Sequence, residues 1–322
     1  MKRTWAFAGC AAAALWASAA DLSLLELVPG DAVTIAGLDA AAAWESPFGR
    51  GLLGNAEQAA GSPLATLAKA AGFELGRDLA EAVVVLRPSA DGDAPLILLR
   101  GRFDAARIQS LAAGRAGSAL RRHGGIDLVT GVSAAGGVRA LAAPSPSLFL
   151  AGSLPDVQAA IDRWSSQPSP PSPIARQAEQ LRSGSHLWLV SRQPVSALAS
   201  QTQDRNVSGL LQGDLFAAIE EWRLQVRLGS PIQVEVQAAT QNPKDAAALA
   251  EVAQFLVTLT RTQNAGGSAG SLLRAIQDFV ASAEGNRAVL RFSVPEDKAA
   301  PLLRALPLFG TPGTAGALPV AP

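Results

Sequence analysis

Residues 222–238 read WRLQVRLGSPIQVEVQA, and their alternation decides the fold class. Trp222, Leu224, Val226 and Leu228 share one side of an extended chain, with Arg223, Gln225 and Arg227 on the other. After Gly229-Ser230-Pro231 the pattern resumes: Ile232, Val234, Val236 and Ala238 alternate with Gln233, Glu235 and Gln237. Successive side chains of a strand point to opposite faces. A period of two on both arms of a short Gly/Pro turn therefore predicts a β-hairpin with one apolar and one solvated face. Such a face argues for an antiparallel or mixed sheet rather than a doubly wound parallel one.

Ala288, Leu290, Phe292 and Val294 predict a third strand of the same kind. Two helices are expected between these strands. Asn242 is a good N-cap, Pro243 suits the first helical position, and Leu249, Val252, Ala253, Leu256 and Leu259 recur at helical spacing. The second is expected from Ser271, burying Leu272, Ile276, Phe279, Val280 and Ala283, with Gly285-Asn286 as its stop. The first half repeats this order loosely. Strands are expected at 32–38, 82–86, 95–102, 126–130, 138–142 and 148–151. Helical segments are expected after the first strand, at 104–113 and at 155–164.

Parts of the halves match. Ser153-Leu154-Pro155-Asp156 with Ala159-Ala160 parallels Ser293-Val294-Pro295-Glu296 with Ala299-Ala300, and Leu187-Trp188-Leu189-Val190 corresponds to the strand holding Val33 and Ile35. The expected architecture is α+β: two similar halves, each a small antiparallel or mixed sheet with amphipathic helices packed on one face. The expected segments are a signal peptide (1–20), one α+β domain (21–164), a Pro/Ser-rich linker (165–175), a second α+β domain (176–306) and a disordered Pro/Gly/Ala tail (307–322). Alternating Pro and Ser at 168–173 fixes φ and removes donors, which favours a stiff solvated spacer.

The first twenty residues carry the cellular address. Lys2 and Arg3 precede an apolar run from Thr4 to Trp16, and Ala17-Ser18-Ala19-Ala20 offers the small side chains that a signal peptidase accepts. The run is 13 residues, against the roughly 20 that cross a hydrocarbon core, so no stable transmembrane segment is expected after cleavage. Two other readings stay open: an uncleaved anchor, and a lipid anchor at Cys10, because Phe7-Ala8-Gly9-Cys10 resembles a bacterial lipobox. The expected location is periplasmic or extracellular.

Composition narrows the function classes. The chain has 322 residues, 48% hydrophobic and 17% charged, enough for sizeable cores. Its 27 basic and 27 acidic residues balance, and losing Lys2 and Arg3 leaves 25 basic ones, so the basic footprint of a nucleic-acid binder is missing. Cys10 is the single cysteine, which denies a cleaved chain both disulfides and thiolate chemistry.

Leu27-Val28-Pro29-Gly30-Asp31-Ala32, then Gly37-Leu38-Asp39 and Ser46-Pro47-Phe48-Gly49-Arg50, resembles a group of uncharacterised exported bacterial proteins. In that group a strand of this type leads into a Ser-Pro-x-Gly segment. The resemblance implies export and carries no activity to any position.

The candidate catalytic constellations lack the surroundings their chemistry needs. Gly266-Gly267-Ser268-Ala269-Gly270 satisfies the G-x-S-x-G pattern, but a nucleophile elbow needs a strand-to-helix turn, and here a helix–helix connection is expected. The only histidines, His123 and His186, fall in an expected loop and at a strand entrance. Two distant histidines without a cysteine do not make a tetrahedral metal site, and Asp91-Gly92-Asp93 lacks the further ligands of a calcium loop. Glu220 and Glu221 are adjacent on an extended chain and point apart. No P-loop or dinucleotide fingerprint occurs.

No catalytic, cofactor or metal residue is therefore assigned. The face carrying Arg223, Arg227, Gln233, Glu235 and Gln237 is the one surface with the chemistry to bind a polar partner. The expected function is a non-enzymatic binding or scaffold protein of the envelope, with an unknown envelope protein or ligand as partner, no nucleic acid and no cofactor. The alternatives are a carrier of a lipid or other apolar ligand between sheet and helices, and an atypical hydrolase using Ser268.

Overall fold

The computed structural model describes residues 23–58, 68, 73–88, 94–107, 110, 117–131, 138–166, 170–195, 214–262 and 274–299. The expected signal peptide, the turn at 89–93, Ser268 with its glycines and the tail after 306 lie outside these residues.

Twelve strands form one sheet. In chain order they are β1 (Thr34–Asp39), β2 (Leu79–Leu86), β3 (Leu96–Gly101), β4 (Ala119–His123), β5 (Ile126–Thr130), β6 (Ala140–Ser145), β7 (Leu148–Gly152), β8 (Leu187–Ser191), β9 (Ile219–Arg227), β10 (Ile232–Thr240), β11 (Gln277–Glu284) and β12 (Arg287–Val294). Their spatial order is 11-12-10-9-8-1-2-3-7-6-5-4. Every pairing is antiparallel. The two small sheets expected from the sequence are thus one, joined where β1 pairs with β8, Gly37 opposite Trp188.

Helices cover both faces of the central strands. On one face lie α1 (Ala40–Glu45), α2 (Pro47–Gln58) and α3 (Leu75–Asp78), whose Ala43, Phe48, Leu52, Leu53 and Leu75 pack on Leu38, Ile97, Leu99 and Phe149. On the other lie α4 (Leu154–Ser165), α5 (Pro173–Arg182) and a 3-10 turn at Leu24–Leu27, which bury Ile35, Val83, Val85, Leu98, Trp188 and Val190. The expectation of helices on one face of each half fails here. Strands sandwiched on both sides lose the polar alternation, which is why Val83-Val84-Val85 and Leu96-Ile97-Leu98-Leu99 read as continuous apolar runs.

Two local corrections follow. Residues 277–284, expected inside a helix, form β11, and Gly285-Asn286 is the turn of a β11–β12 hairpin rather than a helix stop. Gly285 has φ +62 while Asn286 does not enter the left-handed region, as a two-residue hairpin with Gly first requires. The linker expected at 165–175 is shorter. Ser172 caps α5, accepting a hydrogen bond from the Ala175 amide, and Pro173 opens that helix. The hairpin 219–240 and strand 287–294 stand as the alternation predicts.

Beyond the joint, α7 (Pro243–Thr262) follows the short α6 (Asp214–Ala217) and β10. It lies on the Leu224/Val236 face, where Leu249 packs with Ile219 and Ala288 and against Trp222 and Ala238. The opposite face of β9, β10, β12 and β11 has no helix over it among the described residues.

Candidate functional site

That face is built by the polar positions of the 222–238 hairpin. Registers place its side chains in rows across the sheet. One row runs Trp188–Gln225–Glu235–Arg291–Val280, the next Val190–Arg223–Gln237–Val289–Ser282, and a third Arg227–Gln233–Ser293. The first two rows start on β8 at the buried joint, and the first ends at the exposed Val280; Arg223 and Val289 in the second row and Ser293 in the third are buried. The hairpin is moored to α5 and its exit: Gln225 Nε2 donates to the Leu181 carbonyl at 3.3 Å, and Arg227 Nε donates to the Gly184 carbonyl.

Two charge clusters organise the face. Glu221 takes hydrogen bonds from Arg223 at 2.7 and 2.9 Å and from Arg192 at 3.2 Å. Burial works to raise the Glu221 carboxyl, but the two guanidinium partners prevail and hold it below its ordinary range. In the second cluster Gln237 Nε2 donates to Glu235 at 2.6 Å and Arg291 Nε at 2.8 Å. Burial again opposes ionisation of Glu235, and Gln237 and Arg291 overcome it. Arg291 also reaches Glu284 at 3.4 Å. Glu221 and Glu235 are held ionised and paired, so the face offers oriented donors and acceptors rather than a free general base.

The residues weighed for catalysis are scattered. Glu220 is exposed and Glu221 is tied into the first cluster, so the pair is split as extended geometry demands. His186 opens β8, and its Nδ1 accepts from the Leu228 amide at 2.8 Å. His123 ends β4, not a loop, and its Nε2 stands 2.7 Å from Asp162 on α4, with Gln158 3.5 Å from Nδ1. No hydroxyl completes that His–Asp pair among the described residues. Nor do they contain a group of three His, Cys, Asp or Glu side chains able to hold a metal, or a helix long and apolar enough to cross a membrane.

Sequence reading missed a further cluster. Arg87, at the end of β2, binds Asp31 at 2.6 Å and the buried Asp156 at 2.6 Å, while Arg163 donates to the Leu27 carbonyl at 3.0 Å. The Arg87 hydrogen bond holds Asp31 below the usual carboxylate range. Its partners lie 56 and 69 residues from Arg87, so no local pattern could reveal it. The cluster straps the N-terminal turn onto α4 and is structural.

A groove of about 540 Å³ lies between α7 and β11, lined by Ala247, Ala250, Gln254, Phe255, Ala281 and Ala283 among others, and it opens to solvent.

No family model matches the chain, and no curated protein matches it. Its fold is similar to solved structures of TP0453. Crystal form III aligns with a TM-score of 0.53 at 13% identity, covering 89% of this chain and 100% of the other. Crystal form IV aligns with a TM-score of 0.54 at 12% identity, covering 88% of this chain and 97% of the other. At such identities the likeness is one of fold: an α+β architecture around a large antiparallel sheet.

Proposed function

We propose that this chain is exported and serves as a non-enzymatic binding or scaffold protein of the bacterial envelope, using the polar face of β9, β10, β12 and β11 to hold a polar partner. One observation carries the reading. Helices cover both sides of the central strands, yet among the described residues no helix lies over this face, which carries Arg227, Gln233, Glu235, Gln237 and Arg291. Ordered rows of donors and acceptors about 4.8 Å apart suit a polar protein surface or extended polymer better than a small molecule. Pairing of Glu221 and Glu235 with arginines favours binding over catalysis.

The export reading rests on Lys2, Arg3, the apolar run and Ala17–Ala20. An internal duplication also fits. The strand order 8-9-10-12-11 retraces 1-2-3-7-6 on the other side of the joint, and the matched Ser-x-Pro-acid blocks stand at the ends of β7 and β12.

The test is site-specific photocrosslinking in cells, with a benzophenone side chain at Gln233 or, as control, at Glu251 on α7. A discrete adduct from Gln233 alone, on a product whose N-terminus maps to Asp21, is expected. Equal labelling from both positions, or an unprocessed cytosolic chain, would sink the reading. The second reading, an apolar-ligand carrier, draws on the α7–β11 groove; organic extraction of the purified protein that yields no stoichiometric lipid would remove it.

A further inference from the structure

The two edges of the sheet are treated differently. β4 closes one edge with Arg121, Arg122 and His123, the charged dressing that keeps edge strands from pairing. β11 closes the other, and Val280, Ala281, Ser282 and Ala283 carry no charge. In a two-residue hairpin the residues flanking the turn form a hydrogen-bonded pair, so Glu284, Ser282 and Val280 face β12 with their backbone groups. The amides and carbonyls of Ala281 and Ala283 therefore point outward from the sheet. Beside them Phe255 of α7, at the alanine-lined groove, is 63% exposed, and Val280, on the opposite face of β11, is 54% exposed.

We propose that a second copy of this chain pairs with β11, antiparallel about a twofold axis that continues the sheet. An isologous contact needs one patch carrying both a projection and its recess, and this patch has both: the Phe255 ring and the groove floored by Ala247, Ala250, Ala281 and Ala283. The axis stands perpendicular to the sheet, so the two α7 helices flank the seam on the same face and each Phe255 meets the other copy's groove.

Charge selects the register. Setting Ala281 opposite the second copy's Ala283 puts Ser282 opposite itself and Val280 opposite Glu284, with no like charges facing. Sliding the strands until Ala281 meets Ala281 would oppose Glu284 to Asp278, two carboxylates. In the favoured register Ser282 sits at a non-hydrogen-bonded position on the axis. Facing α-carbons there are about 4.5 Å apart, within the span of a disulfide.

The test uses the full chain with Cys10→Ala, so that one new cysteine is the only thiol. The parent is expected to sediment at twice the chain mass of 33.0 kDa. Ser282→Cys should link into a covalent dimer on mild oxidation, and Val280→Cys and Glu251→Cys should not. Ala281→Pro removes an outward amide that no described strand of the protomer pairs with, and is expected to weaken dimerisation at least tenfold with unchanged circular dichroism. A monomer at every concentration with no Ser282→Cys link overturns the proposal. Equal linking at all three positions also overturns it, as does a monomer that accepts an extended segment of another protein along β11.

Discussion

Trp188 occupies the space that a side chain at Gly37 would need. A β carbon built on Gly37 would stand 2.1 Å from Cζ2 and 2.3 Å from Cε2 of the indole. The two residues are register partners across β1 and β8, the single pairing that joins the two sides of the sheet. The ring is 1% exposed and shares its cluster with Ile35, Val190 and Leu181. A missing side chain on one strand thus admits the largest side chain on its neighbour, and the joint is packed rather than merely hydrogen-bonded.

Gly37→Ala is expected to cost about 1–3 kcal/mol by overpacking, and Trp188→Ala about 3–5 kcal/mol by leaving a cavity. Gly30→Ala is the control, since nothing stands within 4 Å of a β carbon there. Urea denaturation measures all three. A Gly37→Ala chain as stable as Gly30→Ala would contradict this account of the joint.

Glu296 closes the molecule over a sequence separation of 248 residues. Its Oε1 accepts the Phe48 amide at 2.7 Å, at the N-terminal end of α2 where amides lack helical partners. Glu296→Ala is expected to cost about 1–2 kcal/mol and Glu296→Gln less, because an amide oxygen still accepts. Amide exchange at Phe48 should quicken in the alanine variant; unchanged exchange would show that the carboxylate caps nothing.

The wet-faced hairpin at 222–238 was legible because each side chain reports its own face, and strands 219–227, 232–240 and 287–294 followed from it. Coverage of the centre was not read, although Leu187-Trp188-Leu189-Val190 carries the signal of burial on both faces. β11 was mistaken for a helix because Ile276, Phe279, Val280 and Ala283 satisfy helical spacing while Phe279, Ala281 and Ala283 satisfy strand spacing. Only pairing with β12 separates the two. The polar face was visible as residue types at alternate positions. Its Arg192–Glu221 and Glu235–Arg291 bonds span 29 and 56 residues and exist only once the registers are set.

Asp78 supplies a pH dependence. Its carboxylate, 8% exposed, accepts from Arg77 at 2.8 and 2.9 Å and from the Glu74 amide at 3.0 Å. The Arg77 hydrogen bonds outweigh burial and pull its pKa down to about 2. A carboxylate whose folded pKa is depressed stabilises the fold above its unfolded pKa, near 3.9, and loses that contribution as pH falls through the folded value. The gap between the parent and Asp78→Asn should therefore be constant above about pH 5 and close between about pH 4 and pH 2. Thermal melts across that range measure it. A gap unchanged at pH 2 would mean that packing, not charge, is what the carboxylate provides.

The two charge clusters on the candidate face differ in cost. Arg223 is 9% exposed and Glu221 is nearly as sheltered, whereas Arg291 stands half in water. Removing one member of a sheltered pair strands the other, so Glu221→Ala is expected to cost about 3 kcal/mol, while Arg291→Ala costs about 1 kcal/mol or less. Double-mutant cycles on Arg223/Glu221 and Arg291/Glu235 give the coupling directly, and equal couplings would overturn the distinction. The difference also separates stability from binding on one surface. If Glu221 anchors the fold and Arg291 meets the partner, then Arg291→Ala should abolish the Gln233 crosslink at nearly full stability, an outcome no purely structural role for that arginine would produce.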